Sequence, residues 1–286
     1  MARLWVGCPM WANRAWVGRF LPARTVPGTE LAPYSHYVNA VEGNTTFYAV
    51  PPPLAVRKWA QQAAPGFRMV FKAPRALTHD RRLRGVAPDL AAFAELLAPL
   101  GDRLGGITLQ LPGSFAPTDL GALADTAKQL PRGVRWSVEV RHPQFCGGPA
   151  MAALHRLLET HGMERVVLDT TALFAHPPTT DAGRDEWRSK PRLPLIDLAL
   201  TDQPVVRVIG CDDPVRTDTE LRRWDDTLAI WLDEGRSPTC FVHTPDNTGT
   251  PALARALHER VAGLVSDLEP LPTPPLILPV EQGLLF

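Results

Sequence analysis

Arg135-Trp136-Ser137-Val138-Glu139-Val140-Arg141-His142 is the stretch that decides the fold. Successive side chains of an extended chain point to opposite sides, so Trp136, Val138 and Val140 share one face and Arg135, Ser137, Glu139 and Arg141 the other. One apolar and one polar face suit a barrel strand, whose outer side meets helices and whose inner side, at the C-terminal end, lines a site. The run Gly106 to Leu111 repeats the pattern: Ile107, Leu109 and Leu111 oppose Gly106, Thr108 and Gln110. The polar set is therefore expected to point into the barrel.

Six further runs have strand length: Leu4 to Cys8, Ala40 to Asn44, Phe67 to Lys72, Arg165 to Asp169, Val205 to Gly210 and Thr239 to His243. Most are separated by helical patterns with start signals. Pro51-Pro52-Pro53 precedes one helix, Asp89 and Thr118-Asp119 open two more, and Gly148-Pro149, Thr217-Asp218 and Thr248 to Pro251 open the rest. Strand and helix alternating eight times predict an α/β chain folded as a single (β/α)8 TIM-type barrel with parallel strands, residues 1–268. No glycine-rich phosphate loop follows any strand, which weighs against an open nucleotide-binding sheet.

Two regions break the repeat. The long insertion between the sixth and seventh strands, Thr170 to Pro204, far exceeds an ordinary connection and carries Trp187 and the charged run Arg184 to Lys190. It reads either as an irregular connector with one helix or as a flap over the barrel mouth. The proline-rich tail, residues 269–286, reads as a stiff extended segment presenting an apolar end.

Composition excludes several function classes. In 286 residues, 30 basic side chains balance 30 acidic ones, so no global field supports strong independent nucleic-acid binding or an anionic membrane partner. No apolar run approaches the ~20 residues of a membrane span. Cys8, Cys146, Cys211 and Cys240 form no CxxC pair, and the chain enters a strand without a leader, which reads as a reducing, cytoplasmic setting.

Chemistry-bearing residues gather at the strand tips: Glu42 and Asn44, Lys72, Gln110, Glu139 and Arg141, Asp169, Arg207 and His243. Buried ions must neutralise one another or await a ligand, so an internal ion network and a polar substrate site are competing accounts. For a site, Glu139 and Glu42 are candidate proton-transfer or orienting carboxylates, with His142 and His79 at the same rim as acid-base groups. Arg141, Lys72 and Arg207 suit an anion clamp, and Asn44, Gln110 and Asn247 position the ligand. No cofactor is expected. A divalent metal, if present, would fall to Glu42, Glu139, Asp169 and His243, although the adjacent cations oppose it.

Gly7, Trp11, Trp16, Gly18, Phe20 and Pro22, then Val41-Glu42-Gly43-Asn44-Thr45-Thr46-Phe47-Tyr48 and Trp59, form an ordered motif series. It continues through Phe71-Lys72-Ala73-Pro74, Thr78-His79, Gln110-Leu111-Pro112-Gly113-Ser114-Phe115, Glu139-Val140-Arg141-His142-Pro143, Arg207 and Asp246-Asn247. In these residues the chain resembles the domain of unknown function 72 (YecE-like) family. The resemblance implies a TIM-type barrel and no assigned activity. Two positions depart from the family pattern: Arg207-Val208-Ile209-Gly210 stands where the family commonly has Arg-x-His-Gly, and Gly43 where it often has isoleucine.

Gln282-Gly283-Leu284-Leu285-Phe286 resembles the Gln-x-x-Leu-Phe peptide by which bacterial replication and repair proteins bind the DNA polymerase sliding clamp, with Gln282, Leu285 and Phe286 as the contact residues. Three functions are thus open. The first is a hydrolase, lyase or isomerase doing acid-base chemistry on a small phosphate- or carboxylate-bearing substrate. The second is a DNA-maintenance factor, phosphodiester-processing or adaptor, recruited to the clamp. The third is a barrel that binds a ligand without turnover.

Overall fold

The computed structural model describes residues 2–274; Gln282, Leu285 and Phe286 lie outside the described residues. The strands are β1 (Trp5–Cys8), β2 (Ala40–Gly43), β3 (Arg68–Lys72), β4 (Leu104–Gln110), β5 (Trp136–Glu139), β6 (Glu164–Arg165), β7 (Val167–Asp169), β8 (Val205–Ile209) and β9 (Thr239–His243). All pair in parallel, in the order β6-β5-β4-β3-β2-β1-β9-β8-β7. Only Val166 separates β6 from β7, and its amide donates to Val138 O. The two ends of the sheet are therefore one stretch of chain, through which the ring nearly closes.

This differs from the sequence expectation by one strand. The predicted sixth strand is split: Glu164 and Arg165 pair with β5, while Val167, Leu168 and Asp169 pair with β8. The fold remains a parallel α/β barrel with helices between the strands.

The helices begin near their sequence signals. Pro53–Gln62 carries proline in its first turn, as do Ala87–Leu97 and Gly148–Thr160, where the missing amide leaves nothing unsatisfied. Leu120–Ala127 follows a turn that Asp119 caps through the Ala116 amide. The helix expected from Thr217 starts earlier, at Pro214, because the Asp213 carboxylate accepts from the Val215 and Arg216 amides. A second helix, Arg223–Asp233, precedes β9, and Thr250–Ala262 closes the ring. Among the described residues, no helix is long and apolar enough to cross a membrane.

Burial follows strand parity. The outward residues Met69, Phe71, Ile107, Leu109, Trp136, Val138, Val206 and Val208 belong to the large core beneath the helices. The inner face holds a small apolar layer of Ala40, Val70, Val166, Val205 and Phe241, with Trp5 beneath it. Above this plug the inner face turns polar, as Thr108 Oγ1 and Ser137 Oγ meet at 2.8 Å. Gly43 is a packing position: a Cβ there would lie 2.4 Å from the Phe71 ring, which stacks on Trp59.

Between β7 and β8 the insertion contains two helices, Thr171–Ala175 and Asp181–Ser189, rather than one. It then descends to the opposite end of the barrel, where the amides of Leu200 and Thr201 donate to the Glu164 carboxylate at the start of β6.

Candidate functional site

Five strands deliver charged or amide groups to the C-terminal mouth. Glu42 ends the inner face of β2, Lys72 that of β3, Gln110 that of β4 and Glu139 that of β5, and Arg207 extends from β8. Arg207 is the centre of the arrangement. Its Nε lies 2.7 Å from Glu42 Oε1 and its Nη1 2.8 Å from Glu139 Oε2, so one guanidinium joins carboxylates from two different strands. Arg141, two residues beyond Glu139 and of the same parity, places Nε and Nη2 at 2.7 and 2.6 Å from Glu139 Oε1. Lys72 Nζ donates to Gln110 Oε1 at 2.7 Å and stands 3.7 Å from Glu42 Oε2.

The electrostatics follow from this packing. Burial alone would raise the Glu139 carboxyl, but Arg141, Arg207 and Lys72 outweigh it and hold the group well below the usual carboxylate range. Burial likewise opposes the charge on Arg207, and Glu42 and Glu139 more than offset it, leaving the guanidinium firmly protonated. Lys72 differs: burial, then repulsion from Arg207, outweigh its attraction to Glu42 and Glu139 and push the ammonium down to about 8. Three cations (Lys72, Arg141, Arg207) meet two carboxylates (Glu42, Glu139), an excess of one positive charge. Glu42 Oε2 is buried with no hydrogen-bond donor. As it stands, the network thus has one positive charge more than its carboxylates neutralise, and Glu42 Oε2 faces only the Lys72 ammonium at 3.7 Å.

His243 extends the site upward. Its ring is 12% exposed, its Nδ1 is buried without a partner, and its Nε2 stands 3.8 Å from Glu186 Oε1 on the insertion. Burial, then the charges of Lys190, Arg207 and Lys72, hold the imidazole well below its usual range, so it is neutral near pH 7. His79 sits on a one-turn π-helix (Ala76–Asp80), edge-on to Phe47, with Nδ1 3.0 Å from Thr78 Oγ1. Burial, then Arg141 and Arg75, lower its pKa. His142 uses Nδ1 to accept from the Gln144 amide and so caps the turn Pro143–Cys146.

Other expected members are placed elsewhere. Asp169 faces outward: its carboxylate accepts from Trp224 Nε1 and the Thr171 amide, both at 2.8 Å, because Val166 and Leu168 take the inward phase of the split strand. The conditional metal set of Glu42, Glu139, Asp169 and His243 is therefore not brought together, and no group of three or more such ligands clusters among the described residues. Asn247 serves the loop after β9. It adopts a left-handed φ of 54° and its Oδ1 accepts from the Thr244 amide and Thr250 Oγ1, closing the loop after β9. Asn44 donates to Pro9 O, leaving its buried Oδ1 unpaired at the rim.

A cleft at the other end of the barrel is lined by Arg68, Arg135, Glu164, Thr201 and Gln203. Its main groups are committed to holding the chain: Arg68 Nη2 donates to Gly105 O and Gln203 Oε1, and Glu164 accepts from Leu200 and Thr201. Arg68 Nε there also lacks a partner. We place the candidate site at the mouth, where three cations and two carboxylates converge, in keeping with the usual division of labour in barrels.

Glu186 and Lys190 are the members missed by strand-tip reasoning. The charged run from Arg184 to Lys190 was the available signal, and its Glu-x-x-x-Lys spacing puts the two side chains together on one helix face, 2.9 Å apart.

The polar mouth on an α/β barrel can be set beside known proteins. The family described as "Protein of unknown function DUF72" matches residues 5–276. The chain belongs to this family. The UPF0759 protein YecE of Escherichia coli strain K12 is 34% identical over 284 residues, covering 99% of this chain and all of the relative, and that of strain O157:H7 is similar to the same degree. Crystal structures of DUF72 family proteins share the barrel. One from Enterococcus faecalis V583 has a TM-score of 0.69 at 15% identity, covering 96% of this chain and 99% of its own. One from Thermotoga maritima has 0.67 at 21%, covering 90% and 97%.

Proposed function

We propose that the barrel mouth binds a small polar anion and transfers a proton to or from it. The observation that carries this reading is the buried excess of positive charge beside an unpaired Glu42 oxygen. Arg141, the least buried of the three cations at 17% exposure, has Nε and Nη2 on Glu139 and leaves Nη1 to donate to a phosphate or carboxylate. Lys72, tuned to about 8, is the proton-transfer group, with Glu42 beside it. Glu139, locked between two guanidinia, orients rather than exchanges protons.

Sulfate is a suitable probe because it does not titrate near neutrality. Calorimetry at pH 7 is expected to show saturable sulfate binding that Arg141→Ala weakens by about tenfold or more, since a charge-assisted contact is lost. The unfolding midpoint should move little, because Glu139 keeps Arg207. Equal affinity in the two proteins would remove the assignment. Affinity should also fall as pH rises through about 8, where Lys72 loses its proton, and Lys72→Met should abolish that dependence. Stability has the opposite trend. The Lys72 pKa is lower folded than unfolded, so the unfolded chain binds more protons between about 8 and its normal value near 10.4, and the fold gains stability with rising pH across that window.

A second reading, recruitment to the sliding clamp for DNA maintenance, is favoured by the terminal sequence Gln282-Gly283-Leu284-Leu285-Phe286 alone. With no net charge on the chain, a tether of this kind would supply the local concentration that non-specific DNA affinity does not. The full-length protein is expected to bind purified clamp in surface plasmon resonance, and a chain truncated after Glu281 to lose that binding. Equal responses from both would dispose of this reading.

A further inference from the structure

The insertion is fastened over the mouth. The Asp212 carboxylate, beyond β8, accepts from the amides and hydroxyls of Thr179 and Thr180, all within 3.1 Å. Gly183 makes room for it, since a Cβ there would stand 2.6 Å from Asp212 Oδ2. Trp187 packs edge-on against Phe174, and Arg192 lies over both rings. Helix Asp181–Ser189 is thereby held with Glu186 turned to the barrel, and Lys190 follows at its C-cap. Glu186 and Lys190 are each less than one-fifth exposed and stand 2.9 Å apart, with Glu186 Oε1 3.8 Å from the imidazole of His243. Lys190 of the roof, then Arg207 and Lys72 of the interior, all disfavour a charge on His243, so roof and floor act on the same imidazole.

We propose that Glu186 occupies the place of a second negative charge of the ligand, and that Lys190 becomes a ligand-binding cation when a dianion displaces it. This rests on the mouth being an anion site. The floor carries an excess of one positive charge, three cations against two carboxylates, and the roof pair is neutral as it stands. Releasing Lys190 from Glu186 makes four cations against two carboxylates, an excess of two. That balances a dianion such as sulfate or a phosphate monoester, whereas a monoanion is already balanced by the floor. Glu186, on a surface helix, can turn to solvent, so its displacement leaves no buried unpaired carboxylate. His243, with Nδ1 unpartnered, completes the ligand's hydrogen bonds from the roof side.

Glu186→Gln and Lys190→Met separate this role from a structural one, because each breaks the same ion pair. If the pair only holds the insertion in place, both variants weaken binding together. If Glu186 competes with the ligand, Glu186→Gln binds sulfate about tenfold more tightly than the unaltered protein and Lys190→Met about tenfold more weakly, the scale of one half-buried charge interaction. Nitrate, a monoanion of comparable size, should change by less than about threefold in Lys190→Met. Arg141→Ala serves as the control. Sulfate binding that is sensitive to Arg141→Ala but shifts the same way, or not at all, in the two roof variants overturns this inference and leaves the anion site standing. Absence of sulfate binding in both the unaltered protein and Glu186→Gln overturns both.

Discussion

Glu139→Ala is expected to lower the unfolding free energy by about 3–5 kcal/mol, the cost of removing one partner from a buried ion pair. The carboxylate is fully buried and holds two guanidinia at once: Arg207 Nη1 on Oε2, and Arg141 Nε and Nη2 on Oε1. Its loss leaves Arg207, itself only 3% exposed, with Glu42 alone, and sets Arg207 and Arg141 against Lys72 with one carboxylate among them. At about 2–4 °C per kcal/mol for a chain of this size, the thermal midpoint should fall by on the order of 10 °C. Glu139→Gln keeps an acceptor for both arginines and should lose less. A calorimetric scan of Glu139→Ala that superimposes on that of the unaltered protein would sink the view that this network supports the barrel.

Gly7→Ala should be more damaging still. Gly7 pairs with Ala40 across β1 and β2, and an added Cβ would stand 1.9 Å from Ala40 O and 2.5 Å from Ala40 C. Both obstructing atoms are backbone. They cannot step aside, because Ala40 O also accepts from the Tyr34 hydroxyl, which in turn accepts from the Cys8 amide. Relief requires separating two neighbouring strands at the centre of the ring, so a loss beyond about 4 kcal/mol is expected, in the class of severe overpacking strain. Expression should yield aggregated protein or a chain without a cooperative unfolding transition. Recovery of soluble Gly7→Ala with a midpoint within a few degrees of the original would contradict the close approach.

Most of the barrel was legible because alternation and turn signals agree along β4 and β5, and because a polar residue near the C-terminal end of β2, β3, β8 and β9 marks each run as a strand of the same kind. Where the alternation is silent, the reading failed. Arg165-Val166-Val167-Leu168-Asp169 offers three consecutive apolar residues and hence no phase, so neither the break at Val166 nor the outward turn of Asp169 shows in it. The part Asn247 plays in its loop was hidden for a different reason. Its left-handed backbone and its bonds to Thr244 and Thr250 depend on a loop geometry that residue type alone does not specify. Glu42, Lys72, Gln110, Glu139, Arg141 and Arg207 do converge, since parity and strand ends suffice to bring them together. Which carboxylate serves which cation was not readable: Arg207 reaches both Glu42 and Glu139, a matter of side-chain length across the barrel rather than of sequence spacing. Glu186 and Lys190 were visible as a charged helical pair but not as neighbours of His243, since that contact joins segments on opposite sides of β8.

The division of one strand into β6 and β7 gives the ring a seam. β6 has two residues paired to β5 and β7 has three paired to β8, so one short run of chain divides its pairing between two neighbours. The chain leaves for the roof at the end of β7 and returns as β8. The part of the protein that would shift when a ligand enters is thus hung from the strand that the chain divides between two neighbours, while Arg207 ties Glu42 of β2 to Glu139 of β5 across the cylinder.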